Sequence, residues 1–218
     1  MKAKFIAIEG GEGSGKSSLV KLLKEVLADT AVITREPGGS PYGEAIRDMA
    51  LKNPLAKDAP PATTLSLMFA SRFDHIANTV KPALTAGKPV ITDRFDGSSF
   101  AYNIWAQANG GLEKLFWNLR SHLDLVPDLY IYLDVDPKEG TRRAQARNAA
   151  SDANGKYDHF DDRHVEFHGR VREGYLKFFA KRKWIFFPKI PHVIIDANRS
   201  LEEVKQEFMA VVQKELTV

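Results

Sequence analysis

The sequence predicts an α/β fold in which a parallel β-sheet is covered by helices on both faces. Two observations support this prediction. Short apolar runs alternate along the chain with longer helical patterns, and the runs are nearly continuous rather than interrupted by polar residues at every second position. Strands that are buried on both faces of a sheet have such continuous runs. With 218 residues, of which 44% are hydrophobic, the chain is long enough for a single domain with a full core.

Five strands and seven helices are predicted in order along the chain. The apolar runs predict strands over residues 5–9, 31–34, 89–92, 129–135 and 192–195. Apolar residues spaced at i, i+3 and i+4 predict helices over residues 17–27, 41–51, 62–86, 98–124, 137–147, 161–183 and 201–216. Glycines predict a break in the fourth helix near Asn109-Gly110-Gly111. The small polar residues 149–156 predict a loop.

The composition argues against several classes of protein. The sequence has no cysteine, which excludes a disulfide framework and agrees with a reducing compartment, so we expect a cytoplasmic protein. No apolar run approaches the roughly 20 residues of a membrane span. Because the first predicted strand starts early, we expect no signal peptide. A net charge of +3 is too small to argue for a nucleic-acid partner. We therefore expect contact with neither membranes nor nucleic acid.

The glycine-rich stretch "IEGGEGSGKSS" carries the first functional signal. It matches the pattern G-x-x-x-x-G-K-[ST] at Gly10, Gly15, Lys16 and Ser17, between a predicted strand and a predicted helix. Successive backbone N–H groups of such a loop point at phosphate oxygens, and the N-terminus of the next helix adds partial positive charge. Lys16 is expected to reach the β- and γ-phosphates, and the hydroxyl of Ser17 suits Mg²⁺. The pattern predicts binding of ATP or GTP.

Further charged segments narrow the reaction. In "ITREPGGS", a Gly-Gly turn places Arg35 at the carboxyl end of a strand, where ligands of open α/β sheets bind. In "VITDRFDGSSFAY", Asp93 stands where a carboxylate would reach Mg²⁺ through water, and Arg94 can bridge the phosphates of two substrates. Residues 142–172 are rich in arginine, whose guanidinium suits the charge of a transferring phosphoryl group. Each of these arginines alone is more typical of a solvated helix face, so the cluster beside a predicted loop is the informative feature.

Together these motifs resemble the thymidylate kinase family of nucleoside monophosphate kinases. "EGGEGSGKSS", "REPGG", "DRF..SS.AY" and "YLDVDPKEG..R...R" occur in the family's order, and the resemblance extends over residues 4–212. It implies a P-loop NTPase fold with three α/β/α layers, a five-stranded parallel sheet and a helical lid over about residues 143–166. It also implies one domain over residues 1–218 and a homodimer. The implied reaction transfers the γ-phosphoryl group of ATP to dTMP with Mg²⁺, in dTTP biosynthesis.

The resemblance implies a role for each residue that matches a family motif. Catalytic roles are implied for Glu12, Lys16, Arg94, Arg143 and Arg147. ATP binding is implied for Gly10, Gly11, Glu12, Gly13, Ser14, Gly15, Lys16, Ser17, Ser18, Arg143 and Arg199, and Mg²⁺ binding for Ser17 and Asp93. Binding of dTMP is implied for Glu12, Arg35, Pro37, Arg47, Met68, Phe69, Arg72, Arg94, Ser98, Ser99 and Tyr102.

Some of the implied roles are specific. Glu12 would accept a hydrogen bond from the 3′-hydroxyl of dTMP, Arg72 would recognise thymine at O4, and Tyr102 would leave no room for a 2′-hydroxyl. The loop has glycine and serine rather than arginine after the acid, so the catalytic arginine is expected from the lid. Arg143 and Arg147 are four residues apart and would therefore point together at the phosphates from one helix face.

The sequence departs from the family pattern at three positions. Met68 stands where the family stacks a phenylalanine on thymine, so Phe69 or Phe73 is a candidate to replace it. Asn103 replaces a common glutamine, and Gln145 replaces a lid arginine of bacterial relatives. The stacking residue is therefore open between the methionine and its phenylalanine neighbours.

Two other classes of function are considered. Another nucleotide or nucleoside kinase would use the same scaffold, but a nucleoside kinase would not need Arg47 and Arg94 aimed at a monophosphate. A switch GTPase or assembly ATPase would also bind a nucleotide, but the nearest match to the guanine-binding N-K-x-D box is Gly155-Lys156-Tyr157-Asp158, which begins with the wrong residue. Phosphorylation of dTMP is the function that the motifs favour.

Overall fold

The structure is a computed structural model that describes residues 3–150, 165–180 and 190–217. Its centre is a sheet of five parallel strands in the order β2-β3-β1-β4-β5. The strands are β1 (Phe5–Gly10), β2 (Val32–Arg35), β3 (Val90–Asp93), β4 (Leu129–Asp134) and β5 (His192–Asp196). Each lies within one residue of its predicted bounds, so the continuous apolar runs are confirmed as strands.

The helices cover both faces of the sheet. They are α1 (Lys16–Leu27), α2 (Pro41–Arg47), α3 (Pro61–His75), α4 (Lys81–Thr85), α5 (Asp96–Ser99), α6 (Glu113–Ser121), α7 (Pro137–Ala150), α8 (Val165–Ala180) and α9 (Leu201–Thr217). Turns of π-helix over Asp48–Lys52, Ile76–Val80 and Phe100–Trp105 continue α2, α3 and α5, and 3₁₀ turns occupy Pro54–Asp58 and Gly110–Leu112. No helix within the described residues combines the length and apolar composition needed to cross a bilayer.

The sheet divides the core into two layers, because alternate side chains of its strands point to opposite faces. In β1, Phe5 and Ala7 belong to one cluster of buried residues, whereas Ile6 and Ile8 belong to the other. The aromatic cluster is completed by α3, α5 with its π turn, α6 and α8, which contribute Phe69, Phe100, Phe116 and Phe178. The aliphatic cluster is completed by α1 and α9, which contribute Leu19, Leu23, Phe208 and Val212. This arrangement confirms the predicted three-layer α/β/α fold.

The predicted helix over residues 98–124 needs correction. The chain becomes helical earlier, at Asp96, and α6 ends earlier, at Ser121. The predicted break is confirmed: Ala108 has a φ of +56°, and the backbone N–H of Asn109 closes the π turn by donating to the carbonyl of Ile104. α7 extends to residue 150, past its predicted end at 147. Most of the loop predicted over 149–156, and both ends of the helix predicted over 161–183, lie outside the described residues.

Candidate active site

The phosphate-binding loop, residues 10–17, joins β1 to α1 at the carboxyl end of the sheet. Gly13 and Gly15 have φ values of +70° and +85°, a region that glycine occupies without steric cost. Ser14 Oγ stabilises the turn by donating to the carbonyl of Gly11 at 2.8 Å. Gly15 caps α1, and no described side chain caps this helix end, so its partial positive charge faces the loop. The loop has the geometry that the glycine pattern predicts for an anion site.

Helix α7 packs directly against this loop. A Cβ atom on Gly13 would lie 2.1 Å from the carbonyl oxygen of Gly140, and one on Gly140 would lie 2.5 Å from the carbonyl oxygen of Glu12. Two glycines are therefore required where the loop and α7 approach backbone to backbone. This contact places the arginines of α7 beside the loop.

Lys16 forms an ion pair with the carboxylate that ends β3. Its Nζ lies 3.1 Å from Oδ1 of Asp93, and Lys16 is only 8% exposed. Burial lowers the pKa of Lys16, and the positive charge of Arg94 lowers it further. Burial alone would raise the pKa of Asp93, but Lys16 and Arg94 outweigh it and hold that pKa below its usual value. The ion pair keeps both side chains next to the loop, where triphosphate oxygens would bind.

Arg94 lies next to this ion pair and, like Asp93, lines a neighbouring cavity. Its φ of +71° is in the left-handed region, which costs a residue with a Cβ about 1–2 kcal/mol. Its Nη1 is within hydrogen-bonding distance of the carbonyl of Gly10 (3.1 Å), Ser98 Oγ (3.1 Å) and the hydroxyl of Tyr175 (3.2 Å). The guanidinium also lies over the ring of Tyr102, 5.2 Å from its centroid. These contacts hold Arg94 in one orientation despite the strained backbone.

A cavity of about 140 Å³ opens beside the loop. Every residue predicted to bind dTMP lines it, except Phe69. Its lining also includes six residues to which the sequence analysis gave no role in binding dTMP, namely Glu36, Leu51, Asp93, Phe95, Asn103 and His168. The motifs that identify the family by sequence therefore converge on one space in the fold.

Arg72 occupies a buried position along this cavity. Its Nε donates to Glu36 at 2.7 Å and its Nη2 donates to Ser99 Oγ at 3.1 Å. The guanidinium lies between the rings of Phe69 and Phe95, at 4.7 and 4.8 Å from their centroids. Nη1 is buried and has no hydrogen-bond partner among the described residues. A cation that is held so firmly, with a donor left over, is suited to recognise an acceptor on a ligand.

The prediction that Phe69 contacts the substrate is corrected by the structure. Phe69 is fully buried, packs edge to face on Phe116 and supports Arg72 from within the core. Met68 lines the cavity instead, with 8% of its surface exposed. At this position the thioether of Met68, rather than the ring of Phe69, is available to pack on a base. Phe73 packs against the core cluster and is not among the residues that line the cavity.

Glu36 organises the segment that carries Arg35 and Pro37. Its second carboxylate oxygen lies 2.9 Å from Nδ1 of His75, which is itself fully buried. Nearer the surface, Arg35 pairs with Glu44 at 2.8 Å, and Arg47 donates to the carbonyl of Pro37 at 2.8 Å. Arg47 also helps to lower the pKa of Asp93, which places its charge near the phosphate-binding loop.

The two arginines of α7 have different partners. Arg147 forms an ion pair with Glu12 of the loop, with Nη2 2.7 Å from Oε1. Arg143 donates instead to the carbonyls of residues 197, 198 and 199, at 2.7, 3.2 and 3.4 Å, and pairs with Glu139. The expectation that both point together at the phosphates is therefore corrected, because Arg143 is engaged by the turn after β5. Residues 151–164, which include Arg163 and most of the predicted lid, lie outside the described residues.

Arg199 and the serines of α1 lie at the edges of the site. Arg199 donates to the carbonyl of Asp196 at 3.1 Å and pairs with Glu207 on α9. Ser17 and Ser18 are exposed in the first turn of α1. Arg199 thus holds the turn after β5, and Ser17 lies exposed next to the loop.

Asn103, Glu9 and Tyr175 are among the residues of the site to which the sequence analysis gave no role. Asn103 lines the cavity, and its Nδ2 is buried without a hydrogen-bond partner among the described residues. Glu9 and Tyr175 are fully buried behind Arg94. Glu9 carried a signal, since a charged residue ending an apolar run at the loop needs buried partners. Tyr175 had none, because it occupies an ordinary apolar position of a helix.

A cavity beside a glycine-rich phosphate-binding loop, lined by arginines in a three-layer α/β fold, defines a P-loop protein that acts on nucleotides. Comparison with known proteins gives the family: the model of the family described as thymidylate kinase matches residues 8–208. The chain belongs to the thymidylate kinase family and is a kinase of nucleotide biosynthesis.

Similar proteins extend over nearly the whole chain. The thymidylate kinase of Chlamydia caviae is 38% identical over 210 residues, which cover 94% of this chain and 95% of that protein. The thymidylate kinase of Legionella pneumophila is 35% identical over 224 residues, covering 98% and 96%. The crystal structure of thymidylate kinase from Ehrlichia chaffeensis has a TM-score of 0.71 at 27% identity, covering 98% of this chain and 99% of that one.

Proposed function

We propose that this chain phosphorylates dTMP to dTDP with the γ-phosphoryl group of ATP, in the biosynthesis of dTTP. The observation that carries the proposal is the arrangement of arginines along one cavity. Arg72 offers a buried open donor, while Arg94 and Arg47 lie next to the phosphate-binding loop. A nucleoside monophosphate has a matching shape, with an acceptor-bearing base at one end and a dianion at the other.

The end of the cavity near Arg72, where the base is proposed to bind, favours thymine over cytosine. Thymine carries an acceptor at O4, whereas cytosine carries a donor at the same place. Arg72 can only donate, and the open donor of Asn103 lies nearby, since Asn103 is one helical turn after the Ser99 that binds Arg72. Two donors suit a base with several carbonyl oxygens. Met68 provides an apolar surface for the ring.

The phosphate end brings donor and acceptor together. ATP is proposed to bind through the loop from Gly10 to Ser18, with Lys16 at the transferring group and Arg199 near adenine. Arg94, whose Nη1 lies 3.1 Å from the carbonyl of Gly10, would contact the phosphates of both substrates. Phosphoryl transfer relies mainly on positioning and charge stabilisation, which these cations supply.

We also propose that Mg²⁺ binds with ATP at Ser17 and Asp93. No group of three His, Asp or Glu side chains within the described ranges could hold a metal by itself. This agrees with an ion that takes most of its ligands from phosphates and water, as Mg²⁺ commonly does in kinases. The ion would neutralise charge on the phosphate oxygens. The hydroxyl of Ser17, and the carboxylate of Asp93 acting through water, offer the hard oxygen atoms that Mg²⁺ prefers.

The sugar is proposed to lie between Glu12 and Tyr102, which both line the cavity. The ring of Tyr102 is held by Arg94 on its face and by Tyr175 edge to face at 6.3 Å, so it cannot easily retreat from a 2′-hydroxyl. The carboxylate of Glu12 would accept from the 3′-hydroxyl. Catalytic charge from α7 would come from Arg147, with Arg143 supporting the adenine side.

Three broader properties are proposed with this function. The whole chain, 1–218, would form one domain, with residues 143–166 as a lid over the phosphates. The protein would be a cytoplasmic homodimer. Exposed apolar side chains of Tyr42, Met49 and Leu55 on α2 and the turns after it are candidates for the dimer contact. Light scattering coupled to gel filtration would measure the oligomeric state.

A turnover screen tests the proposed function. Phosphoryl transfer from ATP with Mg²⁺ is measured on dTMP, dUMP, dCMP, dGMP and thymidine, with Lys16→Ala as the inactive control. We expect dTMP to have the highest specificity constant, and Lys16→Ala to lose turnover while dTMP binding is nearly kept, because the lysine acts mainly in the transition state. Preference for thymidine, or for another monophosphate, would overturn the proposal.

A further inference from the structure

A hydrogen-bonded network surrounds the guanidinium of Arg94 and extends from the cavity into the core. It consists of Glu9 at the end of β1, Ser98 on α5 and Tyr175 on α8. Glu9 and Tyr175 are fully buried, and neither is among the residues that line the cavity. Ser98 lines the cavity, so the network reaches the site through Ser98 and Arg94, whereas Glu9 and Tyr175 lie outside the cavity lining.

The hydrogen bonds of Glu9 account for both of its oxygens. Oε1 accepts from the backbone N–H groups of Phe95 and Ser98, at 3.0 and 3.1 Å. Oε2 accepts from Ser98 Oγ at 2.6 Å and from the hydroxyl of Tyr175 at 3.1 Å. Each of these two hydroxyls in turn lies within 3.2 Å of Arg94 Nη1. A buried carboxylate and a guanidinium are thus bridged by two hydroxyl groups.

We propose that Glu9 and Tyr175 are positioning residues that fix the guanidinium of Arg94 where it meets the phosphate of the acceptor nucleotide. The inference rests on the proposed function, since it assigns Arg94 to that phosphate. An arginine has many rotamers, and fixing one of them before the substrate binds removes an entropic cost of binding. The left-handed backbone of Arg94 also requires such support, because a strained residue keeps its conformation only when its surroundings determine it.

The position of Tyr175 is itself fixed by the packing of α8. A Cβ atom on Gly174 would lie 2.8 Å from Cβ of Trp105, so α8 lies unusually close to the π turn that carries Tyr102 and Asn103. The ring of Tyr175 lies 4.9 Å from that of Tyr132 on β4. Helix α8 therefore has little freedom to move relative to the sheet, and the hydroxyl of Tyr175 reaches Arg94 from a rigid support.

Removal of one hydroxyl tests the inference. Tyr175→Phe is compared with Tyr132→Phe, which deletes the hydroxyl of the neighbouring ring, bound to Asp134 rather than to Arg94. We expect Tyr175→Phe to lower kcat/KM for dTMP by about tenfold or more, as expected for a hydrogen bond to a charged group. Binding of thymidine, which has no phosphate, should be unchanged in both variants, and Tyr132→Phe should keep wild-type kcat/KM.

A double-mutant cycle shows whether the effect passes through Arg94. In an Arg94→Ala background, Tyr175→Phe and Glu9→Gln should cause no further loss. The inference would be overturned by additive losses in the cycle or by an unchanged kcat/KM in Tyr175→Phe. It would also be overturned if Tyr175→Phe weakened thymidine binding as much as it lowered kcat/KM for dTMP, because that result indicates a general structural role. Failure of the wild-type protein to phosphorylate dTMP would instead overturn the proposed function, so the two failures are distinguishable.

Discussion

Substitution of Arg72 by methionine separates recognition of the base from stability of the fold. Arg72 and its partner Glu36 are each only 2% exposed, and the guanidinium lies between two phenylalanine rings. Methionine resembles the aliphatic part of arginine and is apolar, so it can still pack beside those rings. The variant removes the charge, the ion pair with Glu36, the hydrogen bond to Ser99 and the open donor.

The structure gives two magnitudes for Arg72→Met. A hydrogen bond from a charged donor contributes about 1.5–3 kcal/mol, so the preference for dTMP over dCMP should fall by roughly 10- to 150-fold. Breaking a buried ion pair costs about 3–5 kcal/mol, because the remaining charge is left buried. Glu36 keeps its contact with His75, at 2.9 Å, so we expect a loss of unfolding free energy near the lower limit.

Two measurements on the same variants check these magnitudes. Specificity constants for dTMP and dCMP give the preference, and urea unfolding gives the stability. The double variant Arg72→Met/Glu36→Gln should recover part of the stability, because it removes the buried charge, but none of the preference. Arg120→Met is the matched control: Arg120 is also buried and paired, with Asp96, but does not line the cavity.

The outcomes that would refute this reasoning are specific. Arg120→Met should lose stability and keep the preference for dTMP. If Arg72→Met also kept the preference, thymine would not be recognised by Arg72. If Arg120→Met lost the preference to the same extent, the effect would come from general loosening of the fold and the cavity assignment would be wrong.

Three further predictions follow from the site. Tyr102→Ala should relax discrimination against ribothymidine monophosphate, and an unchanged ratio of specificity constants would contradict the proposed place of the sugar. Arg147→Ala should lower the single-turnover rate at least ~100-fold with little change in dTMP affinity, whereas Arg143→Ala should mainly raise the KM for ATP, because its guanidinium holds the turn after β5. The pKa of Asp93 is lower in the folded state than its ordinary value of 3.8, so its ionised form stabilises the fold at pH values above 3.8. This stabilisation is lost as the pH falls from 3.8 through the lower pKa of the folded state. Urea unfolding across that range should therefore show wild type losing stability faster than Asp93→Asn.

The sequence predicted the strands well because strands buried on both faces leave an unambiguous pattern. The loop was equally clear, since Gly13 and Gly15 require positive φ values that few other residues adopt. The choice between Met68 and Phe69 was not predictable in this way. Both lie within one turn of Arg72 on α3, so helical spacing allows either to face the cavity. In the structure Met68 lines the cavity, whereas Phe69 packs on Phe116 in the core.

Contacts between parts of the chain that are distant in sequence could not be predicted from sequence patterns. Glu9 and Tyr175 are 166 residues apart, and their hydrogen bond exists only because α8 packs across the carboxyl end of β1. The different partners of Arg143 and Arg147 were missed for a related reason. Helical spacing places both on one face of α7, but the face is long enough to meet two neighbours, the turn after β5 and the phosphate-binding loop.

The arginines of the site differ in how firmly they are held, and this difference follows from burial. Arg35–Glu44 and Arg147–Glu12 are pairs in which the arginine side chain is 53% and 57% exposed. Such exposed pairs contribute only about 0–1 kcal/mol, so a phosphate dianion can draw either guanidinium away from its carboxylate at little cost. Arg72 is 2% exposed, and no comparable exchange is available to it. Burial therefore fixes Arg72, the arginine assigned to base recognition, and the network of Glu9 and Tyr175 fixes Arg94. Exposure leaves Arg35 and Arg147 free to leave their carboxylates and follow an anionic ligand.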